Sequence, residues 1–178
     1  MKKKITEIIE MPEGVKAEIS DGILKLSKDG KELKRKLEHE VKQEGNKLIL
    51  ESETLGKREK KMIKTTAAII RSLIEGLIEK YSYKLQICSL HFPITVAVKG
   101  NELIIKNFLG EIKERRAKIL PDVDVKIDKE IILVESSDKE KAGQTAANME
   151  QATKINKRDR RIFQDGIYMT KKCKGRRL

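Results

Sequence analysis

The chain has 178 residues, is 38% hydrophobic and 38% charged, and carries a net charge of +12 at a pI near 9.6. That length holds one domain or two small ones, and its hydrophobic share suffices for a core. The charged share lies well above the roughly 25% of ordinary globular domains, and such a cationic excess calls for a polyanion, with nucleic acid first and an anionic membrane surface second.

No stretch approaches the roughly 18 apolar residues that a bilayer-spanning helix needs, and the opening MKKKITEIIEMP has no signal-peptide apolar run. A soluble protein, not exported by that route, is expected. Cys88 and Cys173 stand far apart without a partner motif, which suits reduced cytosolic thiols, with a bridge between them as the alternative.

In chain order, Val15, Ala17 and Ile19 alternate, break at Asp21-Gly22, and resume with Ile23, Leu24 and Leu26 before Lys28-Asp29-Gly30. This pattern predicts a hairpin. A strand is expected at Leu48-Ile49-Leu50, after Gly45-Asn46. A helix follows, because Ala67, Ile70, Leu73, Ile74, Leu77, Ile78 and Tyr81 recur at helical spacing. Lys57, Arg58, Lys60, Lys61 and Lys64 fall before or within its first turns, against the dipole preference for acids there, and read as a solvated face. Tyr81 to Pro93 then predicts a short connection, not rich in Gly or Ser, that holds two units in a fixed orientation.

The second half repeats the first at an offset of 79: Ile94, Val96 and Val98 match the first alternating run, Leu103 matches Leu24, and Thr145-Ala146-Ala147 matches Thr66-Ala67-Ala68. Val123, Val125 and Ile127 alternate ahead of Ile131-Ile132-Leu133-Val134. Ser137 and Glu140 have capping-box spacing for a second helix whose inward residues are small: Ala142, Ala146, Ala147, Met149 and Ala152. The pattern is therefore a duplicated unit of strands followed by one helix. The expected division is 1–85 for the first repeat and 86–178 for the second with its basic C-terminal segment.

That segment has no long counterpart in the first repeat. From Lys154 onward it carries Lys154, Lys157, Arg158, Arg160, Arg161, Lys171, Lys172, Lys174, Arg176 and Arg177 against Asp159 and Asp165. Ile162, Phe163, Ile167, Tyr168 and Met169 interrupt the charge and predict docking, and Asp165-Gly166 reads as a turn.

Chemistry is sparse elsewhere. His39 and His91 lack metal-ligand company, and no CxxC, HExxH, P-loop or GxSxG occurs. His91 reads as a packing or hydrogen-bonding residue, and Asp122 and Asp124 as the solvent side of a strand. No enzyme, cofactor, metal or small-molecule substrate is expected. Aromatics are 3% and Trp is absent, so a base-stacking platform is missing and the ten basic residues of the segment must supply phosphate contact to RNA of defined shape.

Gln151, Ile155, Arg158, Arg161, Phe163, Asp165, Gly166, Ile167, Tyr168, Met169 and Lys172 stand in the spacing Q-x3-I-x2-R-x2-R-x-F-x-D-G-I-Y-M-x2-K. This motif, with HFPITV at 91–96 and NFLGE at 107–111, resembles the sixth large-subunit ribosomal protein family in its archaeal and eukaryotic form. The resemblance implies an α+β fold of two tandem similar domains, each a small antiparallel sheet with one packed helix. It further implies a cytoplasmic, ribosome-bound protein that contacts large-subunit rRNA near the sarcin-ricin loop. Ribosomal proteins would be its neighbours, translational GTPases would dock nearby, and no membrane would be involved. Arg158 and Arg161 become expected phosphate contacts. The rival expectation is a free-standing basic RNA-binding protein, an RNA chaperone or regulator.

Overall fold

The computed structural model describes residues 5–20, 22–37, 41–52, 56–156, 158–159 and 161–172. The chain divides into two compact units, Met1–Glu79 and Lys80–Leu178. His39 and Cys173, and with Cys173 the alternative disulfide, lie outside the described residues.

The first unit runs β1 (Ile5–Glu10), β2 (Lys16–Ser20), β3 (Ile23–Lys28), β4 (Lys31–Lys36), β5 (Val41–Glu44), β6 (Lys47–Ser52) and α1 (Lys57–Ile78). Its strands sort into two antiparallel sheets, ordered β1-β6-β5 and β2-β3-β4. The β3–β4 hairpin closes through Asp29 and Gly30, with φ of 49° and 78°. Two successive positive φ values match the right-handed twist of the flanking strands, and Asp and Gly reach them most cheaply.

Alternation in β3 and β6 buries Leu24, Leu26, Leu48 and Leu50 completely, and α1 lays Ile63, Ala67, Ile70, Leu73, Ile74 and Leu77 over them. The helical stripe thus starts earlier than the sequence pattern suggests and ends at Leu77, because Ile78 is 49% exposed. Lys57, Arg58, Lys60, Lys61 and Lys64 lie exposed on α1 itself.

The second unit runs β7 (Tyr81–Cys88), β8 (Thr95–Lys99), β9 (Glu102–Lys106), β10 (Arg115–Lys118), β11 (Asp124–Asp128), β12 (Ile131–Ser136), α2 (Lys139–Ala152) and β13 (Gly166–Lys171). Its sheets are β10-β9-β8 and β11-β12-β7-β13. The first reproduces β2-β3-β4 and the second reproduces β1-β6-β5 with one strand added outside β7. Among the described residues each unit is therefore α+β with one α-helix, as the repeat implies, but its strands form two sheets.

Two expectations are corrected. Tyr81–Cys88, expected as part of a connection, is a strand with the burial alternation BeBiBeBi. Tyr81 follows Leu77 at a helical step, so the end of one apolar stripe and the start of another overlapped in the sequence. The helix cap is Asp138, not Ser137: the Asp138 carboxylate accepts from the Glu140 and Lys141 amides. Ser136, the last residue of β12, accepts the Asp138 amide at 3.2 Å and donates to the Asp122 carbonyl at 2.7 Å, which sets the helix start one residue later.

The helix α2 is inward at Ala142, Thr145, Ala146 and Met149, all fully buried. Its small residues allow close approach to β7, β10, β12 and β13. Asp122 and Asp124 both face solvent, but Asp122 sits in the turn before β11 with φ of 65°.

Candidate nucleic-acid interface

The segment after α2 is fixed to the second sheet in three steps. Thr153, 3% exposed, closes the helix by donating to the Glu150 carbonyl at 3.2 Å and accepts the Ile167 amide at 2.9 Å. Ile155 and Ile167 join the core, and Phe163 and Met169 pack against it. The strand β13 then pairs antiparallel with β7, with Gly166 opposite Cys88 and Lys171 opposite Lys84. The docking expectation holds for Phe163, Ile167 and Met169, whereas Ile162 is 63% and Tyr168 41% exposed.

Asp165 does not make a local turn. It is completely buried and reaches back to the HFP loop, accepting the Leu90 amide at 2.7 Å and the His91 amide at 3.0 Å through Oδ1. Its Oδ2 lies 2.6 Å from His91 Nδ1. Burial raises the Asp165 pKa, but the bonds from His91 and Leu90 outweigh it and hold the carboxyl below its ordinary value. The turn lies earlier, where Asp159 accepts the Ile162 and Phe163 amides through its carbonyl and the Arg161 amide through its side chain. His91 has the packing role expected of it, since its ring stacks on Phe163 at 4.9 Å between centroids.

A second tie comes from the NFLGE loop, which occupies the place of the tight β3–β4 turn in the first unit. Asn107, Leu109 and Gly110 take φ of 58°, 51° and 77°, and Asn107 donates its side-chain amide to the Pro93 carbonyl at 3.0 Å. The Gly110 Cα region faces the Phe92 ring, 3.5 Å from where a Cβ would stand, so the HFP and NFLGE loops lie side by side. Arg115 joins this loop to the end of α2. It forks onto Glu111 at 2.6 and 2.8 Å, donates to the Ala152 and Lys154 carbonyls at 3.0 and 3.2 Å, and rests over Phe108 at 4.3 Å. The Arg115 hydrogen bonds, assisted by the nearby Arg158 charge, hold the Glu111 carboxyl below its ordinary value.

On this frame Lys154, Arg158, Arg161, Lys171 and Lys172 are all exposed. Arg158 stacks over Phe163 at 4.8 Å, and Arg161 pairs with Asp159 at 2.8 Å while its side chain stays 90% exposed. That pairing lowers the Asp159 pKa and raises that of Arg161. Lys171 pairs with Lys84 just past a β-bulge between Met169 and Lys171, which brings two like charges onto facing strands, an arrangement that an anion between them would relieve. A cleft of about 210 Å³ opens beside Lys154, lined also by Gln151, Ile155 and Tyr168. The expected contacts Lys157, Arg160, Lys174, Arg176 and Arg177 lie outside the described residues.

Sequence reasoning missed Arg115 and Lys84, and mistook Asp165. The paired Arg115-Arg116 after the NFLGE motif was the one visible signal for the first. Among the described residues no group of His, Cys, Asp and Glu could hold a metal ion, and no helix is long and apolar enough to cross a membrane. What the arrangement offers chemically is fixed backbone beneath solvated cationic side chains, the means of contacting phosphate.

Comparisons with known proteins bear on this frame. The model of the family Ribosomal protein L6 matches residues 92–166, which take in Phe92 and Pro93 of the HFP loop, the NFLGE loop, α2 and Asp165. The chain is 44% identical to Large ribosomal subunit protein uL6 of Methanococcus vannielii over 95% of its own length and 94% of the relative's. It is 41% identical to the proteins of the same name from Ignicoccus hospitalis, over 91% of each chain, and Sulfurisphaera tokodaii, over 93% of its own length and 91% of the relative's. Likeness at that level across both units, with the C-terminal motif in place, means that the chain belongs to the ribosomal protein L6 family.

Proposed function

We propose that this chain is a structural constituent of the large ribosomal subunit and binds large-subunit rRNA through its second unit. The contact lies near the sarcin-ricin loop and beside the docking site of translational GTPases, with other ribosomal proteins as neighbours. The relatives that span more than nine-tenths of the chain bear the name of a large-subunit protein. The role is scaffolding, not catalysis.

The observation that carries the reading is the division of labour after α2: Asp165, Arg115 and β13 fix the backbone, while Lys154, Arg158, Arg161, Lys171 and Lys172 keep their side chains in solvent. A prearranged cationic surface loses less ordering entropy on binding. Neutralising phosphates lets RNA segments approach that would otherwise repel, and releases condensed counterions. Arg161 would exchange Asp159 for phosphate, and the Lys84–Lys171 register would be relieved by an anion between them.

Cell fractionation followed by hydroxyl-radical footprinting on large-subunit rRNA tests this. The protein should remain on large subunits at a fixed ratio in moderate salt and protect rRNA around the sarcin-ricin loop. A protein found mostly off ribosomes would instead be a free-standing RNA chaperone or regulator.

A further inference from the structure

We propose that the first unit carries a second phosphate-binding surface, a groove between the end of β4 and the first half of α1 that takes the backbone of a double-stranded RNA. The inference rests on the reading of the chain as an RNA-binding protein but uses none of the residues after α2. An opening of about 250 Å³ lies there, with Arg35 and Lys36 on the strand side and Lys61, Met62, Thr65 and Ile69 on the helix side. Cations thus enter it from two elements that are distant in sequence. Arg58 precedes Lys61 by three residues and Thr65 by seven, so it extends the same helical face. Lys57 and Lys64 lie to one side of that face and Lys60 on the opposite side of the helix, all three exposed.

Among the described residues, Lys36, Lys57, Arg58, Lys60, Lys61 and Lys64 have no carboxylate partner. In the same unit Lys42 pairs with Glu51, Lys47 with Glu10 and Arg71 with Glu7, while what distinguishes the α1 cations is that five of them crowd its first two turns. Like charges three and four residues apart on a helix repel, and here they recur along the first two turns at the positive end of the helix dipole. The repeated unit provides an internal comparison. At the start of α2, Lys141 is paired with Asp122 at 2.6 Å and Glu140 lies beside it. The same architecture therefore does not require an unneutralised helix start.

Lysines on an edge strand such as β4 also discourage edge pairing, but that role needs no cations on the facing helix. Among the described residues β4 carries one acid, Glu32, and the first half of α1 one, Glu59; Glu38 and Glu40 lie outside them. A shallow opening lined by flexible cations, with hydroxyl groups and few aromatics, fits the phosphates of a duplex read by shape better than splayed bases, which need stacking surfaces.

The test uses the full chain and a mixed-sequence RNA duplex, with affinity measured against salt concentration. In the groove variant Lys36→Gln/Arg58→Gln/Lys61→Gln, the log–log slope should become shallower by about 2 to 3 units, at roughly 0.7 to 0.9 for each phosphate no longer neutralised. A control variant with the same reduction in charge elsewhere in the unit, Lys16→Gln/Lys42→Gln/Lys47→Gln, should change it by less than one such unit. Equal slopes for the two variants would overturn the groove in favour of net charge alone. An unchanged slope in the groove variant, beside a flattened one in Arg158→Gln/Lys171→Gln/Lys172→Gln, would overturn the groove and leave the second-unit interface standing. If the groove variant keeps its RNA slope but loses binding of poly-L-glutamate, the surface takes an acidic protein segment instead. A wild-type chain without salt-dependent duplex binding would overturn the groove, while the rRNA contact of the second unit stands or falls with the footprint on large-subunit rRNA.

Discussion

Replacing Asp165 by Ala removes a completely buried carboxylate that holds three groups of the HFP loop, at 2.7, 3.0 and 2.6 Å. Hydrogen bonds to a charged group contribute about 1.5 to 3 kcal/mol each, so a bare sum would run from about 4.5 to 9 kcal/mol. The His91 side chain is 35% exposed, so water can replace part of what the carboxylate supplied. The expected cost is therefore about 3 to 5 kcal/mol, the range for removing one partner of a buried pair. Asp165→Asn should cost less, because its amide oxygen can still accept the two backbone N–H groups. Amide hydrogen exchange at Leu90 and His91 reads the local opening, and urea unfolding reads the rest. The sign with pH follows from the depressed Asp165 pKa. The carboxylate's contribution is complete above the ordinary aspartate value of about 3.9 and is lost as pH falls through the lower folded value. The stability gap between wild type and Asp165→Asn should thus close in strong acid, as pH falls through that lowered value. A cost below about 1 kcal/mol, with unchanged exchange at residues 90 and 91, would refute the latch.

Arg158→Ala with Arg161→Ala should flatten the salt dependence of rRNA binding by roughly 0.7 to 0.9 log–log units per phosphate contact; an unchanged slope removes both from the interface. Arg115→Ala should fray the end of α2 and cost about 1 to 3 kcal/mol, because the Ala152 and Lys154 carbonyls and the Glu111 carboxylate lose their shared donor. Faster amide exchange across residues 152–156 is the readout, and Arg115→Lys should restore only part of it, since a lysine cannot fork onto the carboxylate. Leu73→Ala in α1, where the side chain is 4% exposed, should destabilise the first unit by about 2 to 5 kcal/mol. Urea unfolding measures this, and equal stability would show that the helix does not bury that stripe.

Much of the fold was legible because its signals are local. Turns such as Asp29-Gly30 require positive φ and announce themselves through the residues that tolerate it. The stripe from Ala67 to Leu77 follows from the helical period, and the duplication from self-similarity at an offset of 79. Where two local signals overlapped, the sequence was ambiguous: Tyr81 continues the helical stripe and also begins the alternation Tyr81, Tyr83, Leu85, Ile87 of β7. Ser137 and Asp138 are both good caps, and the bond from the Asp138 amide to Ser136 decides between them.

The candidate interface divides along the same line. Its cationic residues and its family motif are visible in the sequence, because charge cannot be buried cheaply and so marks a surface directly. The sequence by itself thus determined the duplicated α+β units, the basic character of the final segment and the family. Only the tertiary structure decided how that segment is held. Asp165 binds a loop some 75 residues earlier in the chain, Arg115 clamps a helix end 37 residues away, and β13 selects β7 as its partner. Such contacts depend on which groups burial leaves in need of a hydrogen bond, and that is settled by packing of the whole unit and not by the neighbours of any one residue.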